Sequence, residues 1–195
     1  MSSPSLSRRS TIAALAGGGL AASLSAGSQA ASAQDHVVDY SDHPMCGRWL
    51  AMANPPLPDS PQVPVPSVLA ADGTAILSFP VSQLGANGVE FVSAYVGVWE
   101  PYDDRTGHFT AVQTVSDSEG TFLASVTVDG YPQASEDGNS FIDDGSLVTV
   151  TIRDASGAVV VVVPPGTPAR PTTGMRMGVG TPGFPGDDPD ATPVS

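Results

Sequence analysis

Between residues 91 and 163 the chain alternates short runs of Val, Thr, Phe, Ile and Ala with glycine-containing corner dipeptides. The corners are Glu119-Gly120, Asp129-Gly130, Asp137-Gly138, Asp144-Gly145 and Ser156-Gly157. Glycine supplies the positive φ that a tight hairpin needs, and Asp before it is favoured turn chemistry. Strand-length apolar runs with turn signals every ~8–12 residues build antiparallel sandwiches or barrels. The expected fold class is therefore all-β.

The two-residue alternation assigns faces. Residues 47–52 read as the first strand, with Trp49 as a core anchor, because aromatic rings dominate burial. Cys46, the single cysteine, reads as a small buried hydrophobe and excludes an internal disulfide. The prolines of residues 54–66 predict a stiff loop, since Pro cannot donate to a sheet ladder. Asp72-Gly73 predicts a hairpin turn. Residues 91–99 read as one long strand, with Phe91, Tyr95 and Trp99 on one face and Val92, Ala94, Val96 and Val98 on the other. Apolar on both faces, it is expected to be covered on both. The Asp103-Asp104 pair is expected to satisfy Arg105. Residues 107–116 and 121–129 alternate, presenting Phe109 and Phe122 on their apolar faces. Short strands follow at 140–143 and 146–153. Residues 158–163 are wholly apolar, to be buried or, if exposed, to pair with another chain. Residues 172–177 read as a closing strand. Residues 178–195 hold Pro, Gly and Asp with little to bury, and read as a disordered tail.

Ser7-Arg8-Arg9-Ser10-Thr11-Ile12 resembles the twin-arginine export signal, with Thr11 where that pattern carries an aromatic residue. A weakly apolar Ala/Gly-rich stretch follows, then Ala31-Ser32-Ala33, small residues suited to a signal peptidase. The expected boundaries are a signal peptide over 1–33, a flexible segment over 34–46, a β-domain over 47–177 and the tail. The apolar stretch is too short to span a bilayer stably, so no stable membrane anchor is expected. The resemblance implies folding before export and a secreted or extracytoplasmic location.

Charge narrows the partners. The 195 residues carry 20 acids against 7 basic residues, a net of −13. All basic residues are arginines, and cleavage after Ala33 would remove two of them. Such a surface repels phosphate backbones, so no nucleic-acid partner is expected. The nucleophile elbow GxSxG, the P-loop, HExxH and CxxC are absent from the sequence. Asp35, His36, Asp39, Asp42 and His43 offer metal-ligand chemistry, but lie in a terminus without a supporting shell. Asp117-Ser118-Glu119-Gly120 and Ser135-Glu136-Asp137-Gly138 look like calcium-loop fragments lacking the distant Glu, and read as turns. His108 is the one candidate base inside the β-domain, with no visible reach to a partner. No catalytic residue, metal ligand or cofactor is assigned.

Gly47-Arg48-Trp49 at the head of this pattern resembles the Gly-x-Trp signature of the calycin barrels, the lipocalin-like group. In that group the Trp closes one barrel end and an Arg of the last strand packs across it. Arg176, in Gly174-Met175-Arg176-Met177, occupies the matching place. The resemblance covers residues 47–177 and implies a single antiparallel up-and-down barrel of about eight strands, with a β-sandwich as the alternative. A barrel of about eight strands is either filled by side chains or holds one small ligand. Phe91, Tyr95, Trp99, Phe109 and Phe122 are then the expected aromatic lining. Three functions follow: binding of a small apolar molecule inside the barrel, a cyclase- or isomerase-type enzyme using the same cavity, or a cell-surface interaction module using the 159–163 edge. Oligomeric state is left open. Mass spectrometry of the exported protein should find Gln34 as its first residue; a retained Met1 would contradict the export reading.

Overall fold

The computed structural model describes residues 38–55, 61–85, 88–166 and 170–180. The expected signal peptide and nearly all of the expected tail lie outside the described residues. Among the described residues thirteen strands form one antiparallel sheet that curls into a half-barrel, and no second sheet faces it. The strands are β1 (Gly47–Ala53), β2 (Val63–Leu69), β3 (Thr74–Leu77), β4 (Ser82–Gly85), β5 (Gly88–Val92), β6 (Tyr95–Pro101), β7 (Gly107–Ser116), β8 (Phe122–Gly130), β9 (Gln133–Ala134), β10 (Ser140–Asp143), β11 (Thr149–Asp154), β12 (Val159–Val163) and β13 (Thr172–Arg176). The all-β expectation holds, and the sheet is compatible with a calycin-like fold.

At one end the pairing runs back onto itself. The order β7-β6-β3-β2-β1-β13-β10-β9 is hydrogen-bonded throughout. Gln133 of β9 then bridges to Thr106. Ala134 donates to the Arg105 carbonyl and Gly107 to that of Pro132, both at 2.9 Å. Gly130 of β8 already faces Phe109 in the same register, so β9 continues β8 along β7. Eight strand lines therefore close a ring there. Towards the other end, β8 pairs with β11 instead of β10, and β12 ends the sheet as a free edge. With β12 unpaired on its outer side the sheet does not close there, and the barrel is a half.

Several local expectations are corrected. Pro64 and Pro66 lie inside β2, not in a loop. The Pro66 carbonyl accepts from Ser78, so its donor-less nitrogen faces the same side, beyond the end of β3 and away from β1. That is the edge position where a strand tolerates Pro. Asp129-Gly130 is not a turn. Gly120, Gly138, Gly145 and Gly157 take φ of 82°, 68°, 77° and 85°, but Gly130 is extended within β8. A Cβ at Gly130 would sit 2.5 Å from the Phe109 ring. The same holds at Gly174, which lies under its register partner Phe141. Two phenyl rings thus use the space left by cross-strand glycines.

The interior at the closed end is packed. Trp49 has no exposure and Trp99 3%. The Trp49 indole donates to the Met45 carbonyl at 3.0 Å and the Trp99 indole to that of Ala70 at 2.7 Å. Phe141 meets the Trp49 ring edge-on at 5.2 Å. The expected flexible stretch before β1 is, from residue 38 on, folded against this end: Tyr40 donates to the Ala71 carbonyl and its ring lies 5.1 Å from Trp99.

Aspartates hold the turns. Asp72, Asp117, Asp137 and Asp154 each accept a backbone N–H two residues on, as in an Asx-turn. Hydrogen bonding to the ionised form lowers their pKa values, that of Asp137 to about 2, chiefly through the Ser135 hydroxyl. Buried Asp143 is shifted upward by desolvation, although it accepts from the Tyr131 and Gly145 amides. A depressed native pKa adds stability above the unfolded value and loses it as pH falls through the native one. Asp143 acts the other way, favouring the fold while protonated. The turn aspartates outnumber it, so the denaturant midpoint should fall between about pH 4 and about pH 2. Asp137→Asn should flatten part of that loss; a pH-independent midpoint would contradict the turn role.

Candidate functional site

The closed end carries the pairing that the calycin resemblance implied. Trp49 of β1 and Arg176 of β13 are register partners, and the guanidinium carbon lies 4.3 Å from the centre of the Trp49 ring. At that distance a cation is attracted to the π face. Arg176 Nε donates to the Gly138 carbonyl at 2.6 Å, Nη1 to Cys46 at 2.8 Å and Nη2 to Pro44. The side chain ties the last strand, the segment before β1 and the β9–β10 turn together. Its donors are engaged by the protein's own carbonyls, so it is a latch and not a ligand anchor.

The five expected lining residues divide. Tyr95 and Trp99 are buried at 2% and 3%, and Phe109 packs between the clusters around them. Burial raises the Tyr95 phenol above its ordinary pKa. Phe91 and Phe122 lie on the outer face, 44% and 43% exposed. The reason is a change of phase. The expected long strand is broken at Ser93 and Ala94, between β5 and β6, so Phe91 does not share the face of Tyr95. In β8 the register slips, so that Ser116 faces Phe122 while Val115 faces Ala124. The extra residue, Leu123, is a bulge that turns Phe122 outward.

His108 and Glu100 face each other across β6 and β7, on the outside. His108 Nε2 lies 2.8 Å from an Asp129 carboxylate oxygen, and Thr110 donates to that same oxygen at 2.6 Å. The imidazole stacks on Tyr131 at 4.4 Å, and Glu100 is 3.8 Å from its other nitrogen. Neither group points into the barrel. Among the described residues no three His, Cys, Asp or Glu side chains are placed to hold a metal ion.

The outer face holds the features that face-by-face reading passed over. Val96 and Val98 of β6 are 53% and 66% exposed, so the strand expected to be covered on both sides is covered on one. The apolar edge strand β12 is bare: Val160 and Val162 are 56% and 58% exposed. A row of β-branched side chains runs across the sheet through the paired positions Val96, Val112, Thr127, Thr151 and Val162. Separately, a concavity of about 380 Å³ lies beside β9, β10 and β13, with Arg105 at its rim. Arg105 forms no close ion pair with the neighbouring acids among the described residues: Asp103 turns its carboxylate to the Arg105 and Thr106 amides, and the guanidinium acts on it only through its charge. The run of valines at 159–163 was the one sequence signal for the bare edge.

No protein family profile, no curated protein and no solved structure matches this chain.

Truncating Trp49 to Ala should cost about 3–5 kcal/mol in denaturant unfolding, by cavity formation and loss of the ring under Arg176. A near-neutral result would remove Trp49 as the anchor of the closed end.

Proposed function

We propose that this protein is an extracytoplasmic β-module, built on a calycin-like half-barrel, that assembles with a second copy of itself by pairing the free edges of β12. The observation that carries this is the exposure of an all-valine edge strand beside an exposed β-branched outer face. A strand edge presents a row of unpaired N–H and C=O groups, and soluble proteins usually block it with charge, Pro or a bulge. Within β12 there is no Lys, Pro or charged residue, and its one irregularity is the register shift that leaves Val160 unpaired against β11. Antiparallel pairing about a two-fold axis through Val161 sets the strand against its own copy, so the same patch serves both copies. The net charge of −13 opposes association at long range, but screening reduces that beyond about 8 Å at physiological salt. The signal-like residues 7–33 support the location outside the cytoplasm.

A second reading keeps the half-barrel as a binding protein for a small apolar molecule. It is favoured by the open wall and by Leu77, Phe79, Val128 and Val150, only partly buried on the inner face. Native mass spectrometry of protein from its own source reads both: a doubled mass supports assembly, and an added small mass supports the ligand.

Sedimentation velocity decides the edge directly. The wild type should form a concentration-dependent dimer, and Val161→Lys should be monomeric with an unchanged thermal midpoint. A wild type that stays monomeric, or a Val161→Lys protein that still dimerises, would overturn the assembly.

A further inference from the structure

We propose that the concavity beside Arg105 is a binding site for a small monoanionic molecule with an apolar body, its carboxylate held by the Arg105 guanidinium. The site is independent of β12 and of the assembly proposed there. Its backbone is fixed by the ring closure. The Arg105 carbonyl accepts from Ala134 at 2.9 Å, and the Arg105 amide donates to Asp103 at 2.8 Å. Next to it Thr106 pairs with Gln133 through the backbone, and their side chains meet at 3.3 Å.

The side chain is different. Arg176 uses its donors on three carbonyls and Arg153 binds that of Gly157. The guanidinium of Arg105 makes no hydrogen bond and no ion pair with any described residue, in a chain with 20 acids. Asp103, two residues before it, turns its carboxylate to backbone amides, and the adjacent Asp104 forms no ion pair with it. So the concavity is lined by a cation whose planar donor fork matches a carboxylate.

The rest of the lining sets the ligand class. Ile142, 46% exposed, and Met175 provide apolar wall, and Thr173 and Ser140 add hydroxyls on the same face. A volume of about 380 Å³ lies within the usual range for small-molecule sites. One cation in a strongly acidic protein selects single negative charge, because further charge on the ligand would meet the repulsive field of the whole chain.

The test is an amide-resolved NMR titration of the β-domain-containing full chain with hexanoate, with hexanamide as the uncharged isostere. Hexanoate should give saturable shifts at residues 133–135, 140–142 and 173–175. Hexanamide should bind at least about tenfold more weakly, as expected for loss of one charge-assisted pair. Arg105→Gln should bind hexanoate as weakly as the wild type binds hexanamide. Because the Arg105 side chain is exposed and makes no hydrogen bond with a described residue, this variant should keep the wild-type spectrum elsewhere. Ile142→Gln should weaken both probes alike by removing apolar wall. No saturable shift with hexanoate, equal binding of the two probes, or undiminished binding by Arg105→Gln would each overturn the proposal.

Discussion

The pairing of the first strand with the last is the constraint on which the rest depends. A curled antiparallel sheet leaves two edges, and only closure removes them. Here β1 meets β13 in register, and Arg176 reaches across the seam to cover Trp49 and bind three carbonyls from separate segments. The indole is buried and its N–H is satisfied by Met45. With the seam held, the glycines that follow have a purpose. Gly130 and Gly174 admit Phe109 and Phe141 to the interior, where a methyl group would collide with the rings. Tight closure and aromatic filling are two sides of one steric solution.

Acidity serves the corners before it serves the surface. Asp72, Asp117, Asp137 and Asp154 accept backbone amides at the turns. Each such bond satisfies a donor that a tight turn would otherwise leave to water. Part of the net charge of −13 comes from using Asp, and not Asn, in these positions. His108 belongs to the same surface logic, held between Asp129 and Glu100 and stacked on Tyr131.

What is left uncovered lies on the outside. The ring closes at the Trp49 end, but β8 hands over to β11 further along, and β12 has no neighbour beyond it among the described residues. Exposed Val96, Val98, Val112 and Val162 share one side of the sheet, which is where a single-layer fold would place a partner. The Arg105 concavity lies instead beside the closed ring, at the strands that complete it. Closure thus positions both the bare edge and the concavity, one by ending and the other by turning back.

By itself the sequence determined the strand-and-corner alternation, the anchoring role of Trp49 within the first strand and, through one resemblance, the partner Arg176. These are local patterns, or a short motif, and need no knowledge of neighbours. Tertiary structure decided the rest. Phe91 and Phe122 obey the two-residue period on paper, but a strand break at Ser93 and a bulge at Leu123 reverse their phase, and both depend on what the neighbouring strand pairs with. Asp129-Gly130 has the chemistry of a turn and becomes strand because Phe109 lies over it from the next strand. Whether a face apolar in sequence is covered depends on layers the chain does or does not supply. Local composition dictates what a residue can do; only the partners brought from far along the chain decide which of those options is used.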